Sequence, residues 1–346
     1  MKLKALLILV SITLLSACGS NEAEWRLPED SFVKGVNFVG ISVSNLSDSQ
    51  ALYSNSVDLQ PVTSVKLDAD NLLGAITDNT ELSAQAVLLR GANAQVLMME
   101  FNVPSTIAAT PVNGPGIAHM CFQVDATTET YQKFLAGGAS VIGDEDMVQL
   151  NPKNPVKYAY VADLNGAIVE IEHVDVAQLN LPTPPKYKYR TRHAALATPD
   201  LDSILPFYES LLDQKKPRRI GRWWQLKGDK IDSVSGLEGS KLEMSWFQIR
   251  NLELEISQFH SHPTQRPANP RPIEALGYNM IVLEVESLED ASTRVLSAGG
   301  KIIGTSDSTV GGPTLFARDP DGNLLGFQAT DKSSPYSSQQ FLNNGT

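Results

Sequence analysis

The sequence predicts an α+β protein built from four copies of one strand–helix–strand plan, and three observations carry that prediction. "FVGISVSNLSDSQALYSNSV" (38–57) lines up with "HAALATPDLDSILPFYESLL" (193–212) at an offset of 155, setting Asn45-Leu46 on Asp200-Leu201 and Tyr53 on Tyr208. "HMCFQV" (119–124) and "LAGGASVIG" (135–143) meet "MIVLEV" (280–285) and "LSAGGKIIG" (296–304) at an offset of 161; a shorter loop then reduces it to 156, where "DLNGAIVE" (163–170) meets "DPDGNLLG" (319–326). Each of the four segments runs from a strand through an amphipathic helix to a stretch of strand character that ends in an apolar strand.

The elements follow in order. In the first strand of the second unit, alternation puts His119, Cys121 and Gln123 on one face and Met120, Phe122 and Val124 on the other. The helices repeat apolar residues three and four apart, as in Tyr131, Phe134 and Leu135, or Leu205, Tyr208, Leu211 and Leu212. "DLNG" and "DPDG" are tight-turn sequences that introduce a final hairpin strand. In those last strands Glu170 and Glu172 oppose Val169 and Ile171, and Glu253 and Glu255 oppose Leu254 and Ile256. The gapless offset of 155 also sets Glu100-Phe101 on Glu255-Ile256. "LPTPPKYKYR" (181–190) between the halves suits an extended linker.

Composition and the N-terminus bound the setting. Lys2 and Lys4 precede the apolar run "ALLILVSITLL" (5–15), which has the length of a signal h-region and is too short to span a bilayer. "LSACGS" (15–20) resembles the bacterial lipobox, which implies acylation of Cys18; no Asp follows to retain the chain in the inner membrane, so the resemblance implies a cell-envelope location, in the outer membrane and facing the periplasm. The net charge of −11 argues against nucleic acid or an anionic lipid surface as partner. Only two cysteines occur, so with Cys18 acylated, Cys121 has no disulfide partner and reads as a buried, inert thiol.

The segments "HAALATPDLDSILPFYESLL", "GIAHMCFQV…FLAGGASVIG" and "FARDPDGN" resemble the vicinal oxygen chelate superfamily of glyoxalases, bleomycin resistance proteins and extradiol dioxygenases, over about residues 36 to 330. The resemblance implies four βαβββ modules paired into two cupped, incomplete β-barrels. It divides the chain into a signal peptide (1–18), a tether (19–35), a first domain of modules one and two (36–176), a linker (177–189), a second domain of modules three and four (190–330) and a polar C-terminal tail (331–346). Family cups hold a divalent metal on a residue of each first strand and a Glu of each last strand. Carried onto this sequence, those positions are Phe38 and Glu100, His119 and Glu170, His193 and Glu255, and Met280 and Gly326.

Pairing then decides the site. Sequential pairing gives one cup Glu100, His119 and Glu170 and the other only His193 and Glu255; swapped pairing, as in four-module glyoxalase I proteins, joins His119, Glu170, His193 and Glu255. The swapped arrangement is favoured because the losses then fall in one cup. The quartet is a borderline N/O donor set suited to Zn, Fe, Mn, Ni or Co. By the same resemblance Glu170 or Glu255 would move a proton, and Tyr160, ten residues before Glu170, falls where extradiol enzymes carry a catalytic Tyr; Phe316 occupies that place in module four. Trp223, Trp224, Trp246 and Phe247 are candidates to line an apolar pocket for an aromatic substrate, with core packing as the alternative. Arg190 and Arg192 read as a solvated pair, with the holding of an anionic group as the alternative. The expectation is a lipid-anchored metalloenzyme on a small oxygenated substrate, of lyase or isomerase rather than dioxygenase type. The opposing expectation is a non-catalytic envelope protein that binds a small molecule or serves as structure on the same fold.

Overall fold

The computed structural model describes residues 31–179 and 187–341. Cys18, the signal segment, most of the tether and most of the Pro-rich linker lie outside the described residues. Module one contains β1 (Val33–Ser42), α1 (Leu46–Val57), β2 (Gln60–Leu67), α2 (Leu72–Ile76), β3 (Ala84–Arg90) and β4 (Gln95–Phe101). Module two contains β5 (Gly116–Asp125), α3 (Thr130–Ala136), β6 (Ser140–Ile142), β7 (Val156–Ala162) and β8 (Ile168–Val174), followed by the short α4 (Val176–Leu179). Module three contains β9 (Tyr189–Ala197), α5 (Leu201–Leu211), β10 (Arg218–Ile220), α6 (Asp229–Ser235), β11 (Leu242–Gln248) and β12 (Glu253–Phe259). Module four contains β13 (Gly277–Val285), α7 (Leu288–Ser297), β14 (Lys301–Thr309), β15 (Gly312–Arg318) and β16 (Leu324–Gln328).

Local chemistry sets the boundaries. Asn45, Asp200 and Ser287 cap α1, α5 and α7 by accepting the backbone N–H three residues on. In the two aspartate turns, Asp163 Oδ1 accepts from the N–H groups of Asn165 and Ala167, and Asp319 Oδ1 from those of Asp321 and Asn323. Gly166 (φ 78°) and Gly322 (φ 91°) hold the left-handed position these turns require.

Two eight-stranded sheets result. Sheet A runs β14-β15-β16-β13-β1-β4-β3-β2 and sheet B runs β10-β11-β12-β9-β5-β8-β7-β6. Modules one and four therefore share one sheet, modules two and three the other, each joined by an antiparallel pair of first strands (β1–β13 and β5–β9). This is the swapped arrangement, and the sheets cut across the sequence-order division into 36–176 and 190–330. Sequential modules meet through their helical layers instead. The helices α1 and α3 pack together, as do α5 and α7. The Tyr53 hydroxyl donates to Asp163 (3.0 Å) and the Tyr208 hydroxyl to Asp319 (2.8 Å), each joining a helix to the turn of the next module. The convex faces of both sheets and the helices bury one continuous core, with Ile41, Met120, Phe122, Leu196, Leu254, Ile256 and Ile281 from the strands and Tyr53, Phe134, Leu205 and Tyr208 from the helices.

The concave faces differ. Sheet A is filled by Phe38, Leu97, Met99, Met280, Val282, Phe316 and Leu324, with Leu72 and Leu73 of α2 laid over them. Residues 331–341, expected as a polar tail, are docked on this half and on the β11–β12 connection of module three. Glu284 accepts from Ser337 Oγ (2.7 Å) and Ser338 N (2.6 Å), and Arg250 donates to the carbonyls of Ser338, Gln339 and Phe341.

Candidate metal centre

Sheet register brings the quartet together on the concave face of sheet B. Across β5–β9, Cys121 faces His193 and His119 faces Ala195; across β5–β8, Cys121 faces Glu170; across β9–β12, Ala195 faces Glu255. Strand alternation therefore puts His119, Glu170, His193 and Glu255 around one point. All four side chains are buried. His119 Nε2 lies 3.2 Å from His193 Nε2. Glu170 Oε2 is 2.9 Å from His193 Nε2 and 3.1 Å from His119 Nε2, and Glu255 Oε2 is 3.5 Å from His193 Nε2. Donors about 2.1 Å from one cation sit about 3.0 Å apart at right angles and about 3.4 Å apart in a tetrahedron. The observed spacings match that range, so the residues fit a divalent metal. His119, His193 and Glu255 form one group of converging ligand atoms, and Cys121, Glu170 and His193 another.

The electrostatics agree with a cluster that wants positive charge at its centre. Burial alone would raise the Glu170 carboxyl, but His193, and then hydrogen bonds from both imidazoles, hold it below the usual carboxylate range. For His193 burial works downward, and Glu255 and Glu170 more than reverse it, raising its pKa. Glu255 is oriented by the Trp246 indole N–H, which donates to its Oε2 at 2.7 Å. The Nδ1 atoms of both histidines are buried without a partner. Tyr160 stands beside the His119 ring, centroids 5.1 Å apart. Burial, then Glu170 and Glu255, push its hydroxyl well above its ordinary value, which favours the protonated form.

Three sequence expectations need correction. Glu100 is not the counterpart of Glu255. Gly40 pairs with Leu97 in sheet A where Ala195 pairs with Glu255 in sheet B, so module one is three residues shorter between these strands and the gapless alignment slipped. Glu100 instead accepts from Leu46 N (2.7 Å) at the start of α1, as Gln258 accepts from Leu201 N (2.9 Å) at α5. The bare cup thus has Phe38, Leu97, Met280 and Gly326 at the four ligand positions. Second, Arg192 is not solvated. A bulge in β9 leaves it without a partner in β5 and turns it into the cup beside His193. It is 7% exposed and ion-paired with Glu172 and, at 3.4 Å, with Glu253. The sequence signal was available, since the same-face pairs Glu170/Glu172 and Glu253/Glu255 place more buried carboxylates in the cup than its two histidines can balance. Third, Trp223 and Trp224 do not line a pocket; they are 79% and 88% exposed, while Trp246 is buried in the cup. Cys121 is buried as expected, but on the polar face of β5 and not among apolar side chains.

Comparison with known proteins agrees with this geometry. The profile of the Glyoxalase/Bleomycin resistance protein/Dioxygenase superfamily matches residues 190–327. Residues 190–327 are thus similar to this superfamily in sequence, and the chain shares the fold of its glyoxalase I structures. Glyoxalase I from Zea mays superposes with a TM-score of 0.57 at 14% identity, over 85% of this chain and 92% of the maize protein. An ethylmalonyl-CoA/methylmalonyl-CoA epimerase of Cereibacter sphaeroides is 26% identical over 143 residues, 40% of this chain and 97% of the epimerase.

Proposed function

We propose that this vicinal oxygen chelate protein is a divalent-metal-dependent enzyme of the lyase or isomerase kind, acting on a small oxygenated substrate in the cup of modules two and three. The observation that carries the proposal is the convergence of two imidazole Nε2 atoms and the Glu170 carboxylate within 3.2 Å of one another, with Glu255 beside them. The donor set suits Zn, Fe, Mn, Ni or Co, and such a cation would polarise a substrate carbonyl and acidify the adjoining carbon. The chain's own contribution is proton movement. Glu170 or Glu255 takes the proton and returns it, Trp246 fixes the orientation of Glu255, and Tyr160 donates a hydrogen bond from the cup wall. The epimerase relative favours this over oxygenase chemistry.

The test is metal content of the full chain purified without chelator, beside His119→Ala and His193→Ala. One equivalent of metal, lost in both single variants while each keeps the wild-type circular dichroism, is the expected result, because both histidines serve one cup. No metal after reconstitution of folded wild-type protein would overturn the enzyme reading. It would favour a second one, a small-molecule-binding protein on this fold, to which the unpartnered Nδ1 atoms lend support, since a ligating histidine ordinarily donates its other N–H.

We further propose that the chain is a lipoprotein acylated at Cys18 and held in the outer membrane facing the periplasm. The lipobox-like "LSACGS" supports this. Labelled palmitate should enter the wild-type chain and not Cys18→Ser; equal labelling of the two, or none in either, overturns it.

A further inference from the structure

The loop joining β10 to α6 does not belong to the cup chemistry, and its composition opposes that of the whole chain. Residues 215–230 contain Lys215, Lys216, Arg218, Arg219, Arg222, Lys227 and Lys230 against the single acid Asp229, in a protein with 28 basic and 39 acidic residues. Arg218 and Arg219 turn inward, to Glu253 and to Glu243 and Asp202. Lys215, Lys216, Arg222 and Lys227 are exposed. Between them project Trp223 and Trp224, 79% and 88% exposed, with the Arg222 guanidinium 5.1 Å from the Trp223 ring centre. Gly221 and Gly228, both at positive φ, bracket the projecting segment. Its base is anchored, because Leu226 and Leu242 exchange both backbone hydrogen bonds at 2.9 Å and Leu226 packs against the small cluster of Val112, Ile168, Leu242 and Phe259.

We propose that this loop is an interfacial anchor that inserts Trp223 and Trp224 into the headgroup region of an anionic lipid surface. An indole is amphipathic, with an apolar body and one N–H donor, and left in water it forgoes a large burial gain. The flanking cations attract acidic headgroups without needing a shaped groove. The local patch thus overrides, over the reach of a Debye length, what the net charge of −11 suggests for the molecule as a whole. Because Leu226 ties the loop to β11, which carries Trp246, insertion would hold the cup of sheet B close to the membrane. The inference does not depend on metal binding or on acylation of Cys18.

The experiment uses the full chain, with Trp25→Phe to remove a background fluorophore, mixed with vesicles of phosphatidylcholine alone or with phosphatidylglycerol, both with brominated acyl chains. Anionic vesicles should quench and blue-shift the tryptophan emission, high salt should weaken the effect, and Trp223→Ala/Trp224→Ala should lose most of it. Both indoles are solvent-exposed, so the double variant should keep the wild-type circular dichroism and melting temperature, which separates loss of insertion from loss of fold. Equal quenching with and without the anionic lipid overturns the proposal. So does emission that stays open to aqueous iodide on vesicles, the result expected if a lid or a protein contact uses these side chains.

Discussion

Asn37 in β1 and Arg192 in β9 occupy the same bulge in the two sheets: Val36 and Phe38 pair with consecutive residues of β13, and Thr191 and His193 with consecutive residues of β5. Around Arg192 stand Glu172 and Glu253. At the matching places around Asn37 stand Gln328, which accepts from its Nδ2, and Gln95, whose Nε2 donates to the Asn37 carbonyl at 2.8 Å. The backbone device is common to both cups, while one is wired with charges and the other with amides. The four ligand positions divide in the same way, His119, Glu170, His193 and Glu255 against Met280, Gly326, Phe38 and Leu97. Once a cup gives up its ligands, apolar side chains can fill it and the cup becomes core. A cup that keeps its ligand-type side chains must tolerate buried carboxylates, and Arg192 offsets two of them.

The largest expected effect tests that ionic arrangement. Arg192→Met leaves Glu172, 1% exposed, without its cation and should cost about 3–5 kcal/mol in urea unfolding. Asn37→Ala removes a neutral partner in sheet A and should cost about 1–2 kcal/mol. Rebuilding the sheet A set in sheet B, with Glu172→Gln, Arg192→Asn and Glu253→Gln together, should recover most of the loss. If the triple variant is as unstable as Arg192→Met, the two networks are not interchangeable and the comparison fails.

The Tyr–Asp links that join sequential modules give the next effect. Burial pushes the Asp319 carboxyl up to about 6, the hydrogen bonds from Asn323 and Tyr208 restraining it only in part. In the unfolded chain the group titrates near the ordinary Asp value, so between about pH 4 and 6 the folded state binds more protons. Stability from this group therefore falls as pH rises through that window, by about 3 kcal/mol in total. Wild-type melting profiles should contain this decline, and Asp319→Asn should remove it. A variant profile parallel to wild type between pH 4 and 6 would show that Asp319 is not the group responsible. Metal should act on a similar scale but on one cup only. At about 100 times its dissociation constant it should add about 2.7 kcal/mol to wild type and nothing to His119→Ala or His193→Ala.

How far the sequence reached can be traced through single residues. The repeat offsets located all four modules because each reuses one period switch and one aspartate turn, and these are local signals. His119, Glu170, His193 and Glu255 were legible because they sit at repeated strand positions. The concentration of ligand losses in the outer modules then pointed to the swapped pairing that the sheets have. What failed was register. The three-residue difference inside module one lies between strands that pair only in the folded chain, so the matching "EF" and "EI" drew Glu100 into a role held by Leu97. The bulge at Arg192 escaped for a related reason, since alternation puts Arg192 on the opposite face from His193 until an extra residue breaks the period. Trp223 and Trp224 were misplaced because aromatic content suggests burial and says nothing about which side of a strand edge a loop leaves from.

That register error yields the smallest prediction. If Glu100 and Gln258 are matched helix caps and not cup residues, Glu100→Ala and Gln258→Ala should each cost about 1 kcal/mol, since each strips one acceptor from the first turn of a helix, α1 or α5. Neither should change metal content. Glu100 carries a charge near the positive end of α1 and Gln258 does not, so Glu100→Gln should retain most of the stability but lose a few tenths of a kcal/mol of dipole interaction. Thermal unfolding of the three variants beside wild type measures all of this. A drop in bound metal on Glu100→Ala would return Glu100 to a cup and restore the sequential pairing that the strand order argues against.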